Sequence, residues 1–103
     1  MNNNQFNSGF FIVTSGVIGL LERYKEFRVG IFRAIEDHSK GNWCETCSHD
    51  KKQNLKALET GERIFSSWTI DEHKIYIITE GRDPDPLIAN ENTVTTILLP
   101  SEH

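Results

Sequence analysis

The sequence predicts an α+β domain: an N-terminal strand and two or three helices packed on a small three- or four-stranded antiparallel sheet. Three observations lead there. A β-type run, GFFIV at residues 9–13, comes first. Apolar residues at steps of three and four then run from Val17 to Ile35, the stripe of an amphipathic helix. From Glu62 onward the pattern changes to the two-residue alternation of strands. At 103 residues there is room for one domain, expected over residues 9–103, with residues 1–8 (three consecutive Asn among them) as a flexible N-terminus.

Each element has its own signal. Thr14 and Ser15 offer an N-cap behind the first strand. Val17, Ile18, Leu20, Leu21 and Tyr24, then Phe27, Ile31, Phe32 and Ile35, form the apolar stripe. The charged stretch 22–28 divides it, so two helices are expected, with a break near residues 25–28. Gly41 in SKGN suits the left-handed residue that ends a helix, and Trp43 is expected to pack back onto the core. Ser48 or Asp50 can cap a third helix running to about Glu59, with Leu55 and Leu58 inward. Residues 62–70 then alternate Ile64, Ser66, Trp68 and Ile70 on one face with Arg63, Phe65, Ser67 and Thr69 on the other. A turn at 71–73, a strand at 74–80 (KIYIITE), a proline-bearing loop at 81–92 and a strand at 93–99 complete a meander.

Composition narrows the function classes. Eleven Lys+Arg against fifteen Asp+Glu give a net charge of −4, which argues against a general nucleic-acid binder. The balance is uneven: +1 over residues 1–70, and −5 over residues 71–103. No apolar run approaches the roughly 18 residues of a membrane span. The N-terminus lacks the basic start and apolar core of a signal peptide, so a cytoplasmic protein is expected.

Three groups of residues could carry chemistry. Cys44-x-x-Cys47, with His49 beside it and His38 upstream, has ligand types that suit zinc. All four crowd into one short stretch, however, and the pair follows a helix and a tryptophan instead of opening a helix after a strand. Two unlinked thiols and no metal are therefore expected. A polar series follows: His38, Asn42, Trp43, Asp50 and Asn54. Asp50 and Asn54 share a helix face, and a histidine with an acid and an amide is suited to proton transfer. The structural reading gives His38 a place at the helix dipole and Asn54 the task of holding the SKGNW loop. The third group is Arg63, Thr79, Glu80, Arg82, Thr95 and Thr96, with Thr79 and Thr95 or Thr96 expected as cross-strand neighbours. No nucleophile elbow, Gly-rich phosphate loop, HExxH motif or cofactor motif is present.

Taken in order, the motifs resemble a family of small proteins carried by bacterial plasmids, integrated elements and phages. The likeness rests on Thr14-Ser15-Gly16-Val17-Ile18, then His38-Ser39-Lys40-Gly41-Asn42-Trp43, then Asn54-Leu55-Lys56-Ala57-Leu58-Glu59-Thr60-Gly61-Glu62-Arg63. It continues through Ile77-Ile78-Thr79-Glu80 and Thr95-Thr96-Ile97-Leu98-Leu99-Pro100-Ser101-Glu102. Cys44 stands where the family tends to have Gly and Asn42 where it has Asp, and about ten residues are added in the 81–92 loop. The resemblance implies a setting, that of a mobile-element accessory protein, and no particular activity.

The expected function is therefore non-enzymatic binding of a protein partner, in its sharper form inhibition of a host defence nuclease or CRISPR effector complex. The expected contact is the acidic loop and its border: Glu80, Arg82, Asp83, Asp85 and Glu91. Acidic loops compete with nucleic acid for basic grooves. Two alternatives are carried: a small hydrolase or nucleic-acid-processing enzyme using His38, Asp50, Asn54 and Glu80, and a zinc-stabilised adaptor. A homodimer through a sheet edge is a further expectation, because an antiparallel sheet this small leaves edges to cover.

Overall fold

A computed structural model describes residues 6–43, 48–85, 87 and 91–103, with the backbone alone at Ser48 and His49. The order is β1 (Phe10–Val13), α1 (Ser15–Arg23), α2 (Lys25–Lys40), α3 (Ser48–Thr60), β2 (Ile64–Ile70), β3 (His73–Glu80), β4 (Val94–Leu98) and a closing 3₁₀ turn, Pro100–Glu102. The fold is α+β, as the periodicities predict. Cys44 and Cys47 lie outside the described residues.

The sheet runs β1-β4-β3-β2. β2, β3 and β4 form the expected antiparallel meander, but β1 lies parallel to β4, with Phe11 beside Thr95 and Val13 beside Ile97. The sheet is therefore mixed. Side-chain alternation dictates which face a strand buries and is silent on its direction. The whole helical layer separates β1 from β4, and so long a connection permits parallel pairing.

One face of the sheet carries Val17, Phe27, Ile31 and Ala34 of α1 and α2 against Trp68, Ile70, Ile75, Ile77 and Ile97. A smaller cluster joins Trp43, Ala57 and Ile64. Helix α2 comes very close to β2: a Cβ on Gly30 would stand 2.3 Å from Ile70 Cγ2. Gly41 takes the expected left-handed conformation, φ 81°, and its N–H returns to the carbonyls of Asp37 and His38.

Several expectations shift. The helix break falls at Tyr24, whose extended backbone (φ −122°, ψ 113°) both closes α1 and opens α2. Phe32, read as part of the buried stripe, is 72% exposed. Leu55 is also exposed, because Asn54 and Ala57 take the buried face of α3. Residues 6–8, read as part of a frayed end, are tied down. The Phe6 N–H donates to the Ser39 carbonyl (3.0 Å), Ser8 is buried, and the Ser8 and Ser39 hydroxyls are hydrogen-bonded.

Candidate functional site

The polar residues singled out from the sequence separate into a buried chain, a surface cleft and a loop. The buried chain centres on His38, which is fully enclosed at the end of α2. Its Nδ1 lies 2.6 Å from Ser66 Oγ on β2, and its Nε2 lies 2.8 Å from Thr79 Oγ1 on β3. Thr79 Oγ1 lies 2.7 Å from Thr95 Oγ1 on β4, so the expected cross-strand threonine pair is Thr79 with Thr95. Thr95 in turn donates to the Ser8 carbonyl at 2.6 Å, and the Trp68 indole N–H donates to Ser66 Oγ at 2.7 Å.

Proton counting fixes the direction of every link. A hydroxyl has one proton to give. Thr95 spends its proton on the Ser8 carbonyl, so Thr79 must donate to Thr95, and His38 Nε2–H must donate to Thr79. Burial holds the imidazole down to a pKa of about 3, so the ring is neutral and Nδ1 is an acceptor. Ser66 therefore donates to Nδ1 while accepting from Trp68. The chain runs one way, Trp68 to Ser66 to His38 to Thr79 to Thr95 to Ser8. The ring leaves no nitrogen lone pair or proton for a substrate or a metal. Among the described residues every buried side-chain nitrogen or oxygen has a hydrogen-bond partner.

The remaining predicted side chains are not links of this chain. Trp43 is buried, and its indole N–H donates to the His38 carbonyl at 3.1 Å. Asn54 holds the outer edge of β2 instead of the SKGNW loop. Its amide donates to the Phe65 carbonyl at 2.6 Å, and its oxygen accepts the Phe65 N–H at 2.9 Å. Asp50, Asn54 and Arg63 line a shallow cleft of about 510 Å³ with Phe65, Tyr76 and His103. Thr96 lies on the sheet face opposite Thr95. Among the described residues no group of three or more His, Cys, Asp or Glu side chains could hold a metal ion. No described helix is long and apolar enough to cross a membrane.

In the loop, the Asp83 carboxylate accepts the Asp85 N–H and the Asp85 carboxylate accepts the Leu87 N–H, both at 2.9 Å, giving two successive Asx turns. Leu87 beyond them is 92% exposed. Arg82 turns back: its guanidinium donates to the Ala57 carbonyl at 3.2 Å and covers the Phe6 ring at 5.4 Å. Glu80 stands exposed at the end of β3.

Sequence reading missed Ser8, Ser66 and Trp68 as members of the buried chain. A usable signal was present, since Ser66 alternates with Ile64 and Trp68 on the core-facing side of β2, where a lone hydroxyl must find a partner. No family model, curated protein or solved structure matches the chain.

Proposed function

We propose that this chain is a mobile-element accessory protein that performs no chemistry of its own and binds a protein partner through the acidic 81–92 loop. The loop's outward chemistry is the observation that carries this reading. Arg82 is drawn inward onto α3 and Phe6, so the described loop residues leave Asp85, Leu87 and Glu91 exposed, with Asp83 half-buried. The Asx turns engage the Asp83 and Asp85 carboxylates with the Asp85 and Leu87 amides before any partner arrives, which lowers the entropy cost of fixing these residues on association. An apolar tip among acids suits a basic groove with an apolar floor, such as the nucleic-acid channel of a defence enzyme. The hydrolase alternative loses its two central residues, because His38 and Asn54 are both spent on internal hydrogen bonds.

The test compares the full chain with a variant carrying Asp83→Asn, Asp85→Asn and Leu87→Ala, each immobilised in host lysate and cross-linked for mass spectrometry. The expected result is a nucleic-acid-handling protein cross-linked at the loop, lost with the variant and weakened by added salt. Equal recovery by both chains would overturn the assignment.

A further inference from the structure

The two edges of the sheet are treated oppositely. On β2, the Asn54 side chain pairs with the outward peptide groups of Phe65 and occupies them. On β1, nothing comparable is found among the described residues. Phe10 N–H donates to the Thr93 carbonyl and Thr14 N–H to the Ile97 carbonyl. Backbone alternation therefore turns the N–H and C=O groups of Phe11 and Val13 away from β4, toward the open edge. Monomeric proteins guard such an edge with charge, proline or a bulge, or by keeping it short. β1 is short, at four residues, but FFIV carries no charge, proline or bulge.

We propose that the β1 edge is covered by β1 of a second copy, in an antiparallel, two-fold arrangement centred on Ile12. Only that register uses every outward group. Phe11 exchanges both backbone hydrogen bonds with Val13 of the other copy, Val13 does the same with Phe11, and Ile12 faces Ile12 across the axis. Two four-stranded sheets become one of eight strands.

Area and charge agree with this occupant. Phe10 is 69% exposed, Phe11 48% and Ile12 52%, and Phe32 of α2, on the same side of the sheet as Phe11, is 72% exposed. Phe11 and Phe32 line one wholly apolar groove of about 480 Å³ with Val13, Val17, Ile31 and Ile35. At about 200 Å² per phenylalanine, the three rings alone offer roughly 380 Å² of apolar surface. A standard interface buries about 800 Å² per partner, a little over half of it apolar, and Ile12 adds to what the rings supply. An uncharged strand meeting itself brings no like charges together.

The experiment is light scattering on the full chain, with circular dichroism, for the parent and an Ile12→Lys variant. A dimer mass that falls to the monomer in Ile12→Lys, with the spectrum unchanged, is expected. A parent that stays monomeric at millimolar concentration would overturn the proposal, whatever else binds the strand. Should Ile12→Lys fail to fold, an Ile12→Cys variant in a Cys44→Ser, Cys47→Ser background decides. Facing Cα atoms in this register lie about 4.5 Å apart, within disulfide reach. Oxidation should then link two copies of Ile12→Cys but not of a Lys56→Cys control on the exposed side of α3. Absence of that link, or a dimer persisting in a folded Ile12→Lys, refutes the interface. The loop variant leaves β1 intact and should keep the dimer mass, so the two readings can fail separately.

Discussion

His38 shows how a single buried side chain ties acid sensitivity to the fold. The folded ring stays neutral down to about pH 3 because its site excludes water, whereas the unfolded chain binds a proton near the ordinary 6.5. A depressed histidine pKa means that the unfolded state takes up the proton first. Stability is thus fully present above pH 6.5 and is lost as pH falls below it. One proton's difference is worth about 1.4 kcal/mol per pH unit, so unfolding free energy from urea titrations should drop by about 2 kcal/mol between pH 7 and pH 5. A His38→Asn variant should be less stable at pH 7 and should lose that slope. A wild-type curve that is flat over this interval would contradict the neutral, one-way chain. From the sequence only its Thr79–Thr95 link was legible, since those residues flank one connection of the meander. Ser66 and Thr79 stand 28 and 41 positions from His38, and no local pattern signals a contact that depends on where α2 lies across the sheet.

At the scale of elements, local chemistry was legible at the end of α2 and at the β2–β3 turn, but not at the α1–α2 break, which falls at Tyr24. Gly41 ends α2 as its residue type demands, and the Asp71–Glu72 turn joins β2 to β3. Both turn residues have positive φ, 49° and 69°, the pattern of a type I′ hairpin. Glutamate is a poor occupant of that region, where a Cβ crowds the backbone. Replacing the pair by Asp71→Asn and Glu72→Gly should raise stability by about 1 kcal/mol, read as a higher urea midpoint at an unchanged slope. Helix α3 was harder to read. Its buried face holds Asn54 and Ala57 while Leu55 is exposed, because the helix covers a strand edge as well as a core. An asparagine that completes a strand edge has no hydrophobic periodicity to reveal it. The end of the chain joins in as well. Hydrogen bonds from Thr14, Leu99 and Gly16 hold the Glu102 carboxyl below its usual range, so the 3₁₀ turn anchors the start of α1.

For the whole molecule, the decisive asymmetry is between a β2 edge capped at Phe65 by Asn54 and a β1 edge with no such cap among the described residues, and it could not be read from the sequence. FFIV reads as a strand, but whether it lies inside the sheet or at its rim depends on strand order. The same asymmetry makes a prediction about backbone dynamics. Along β1 and just past it, the Phe10 amide donates to Thr93 and the Thr14 amide to Ile97, and the ladder between them turns the Ile12 amide toward β4 as well. The Phe11 and Val13 amides face outward. In dilute protein, hydrogen exchange should therefore alternate along the strand, with Phe11 and Val13 fast and Ile12 and Thr14 slow. Ile75, Ile77 and Thr79 on the central β3 should exchange last, because they are released only by global unfolding. As concentration rises and β1 meets β1, Phe11 and Val13 gain partners and the alternation should disappear, while the β3 amides keep their place as the last to exchange and slow further because dimerisation stabilises the folded state. Residue-resolved exchange at two concentrations measures this directly. Uniform protection along β1 in the monomer would mean that something else already covers the edge, and alternation that persists in a dimer would place the contact on another surface.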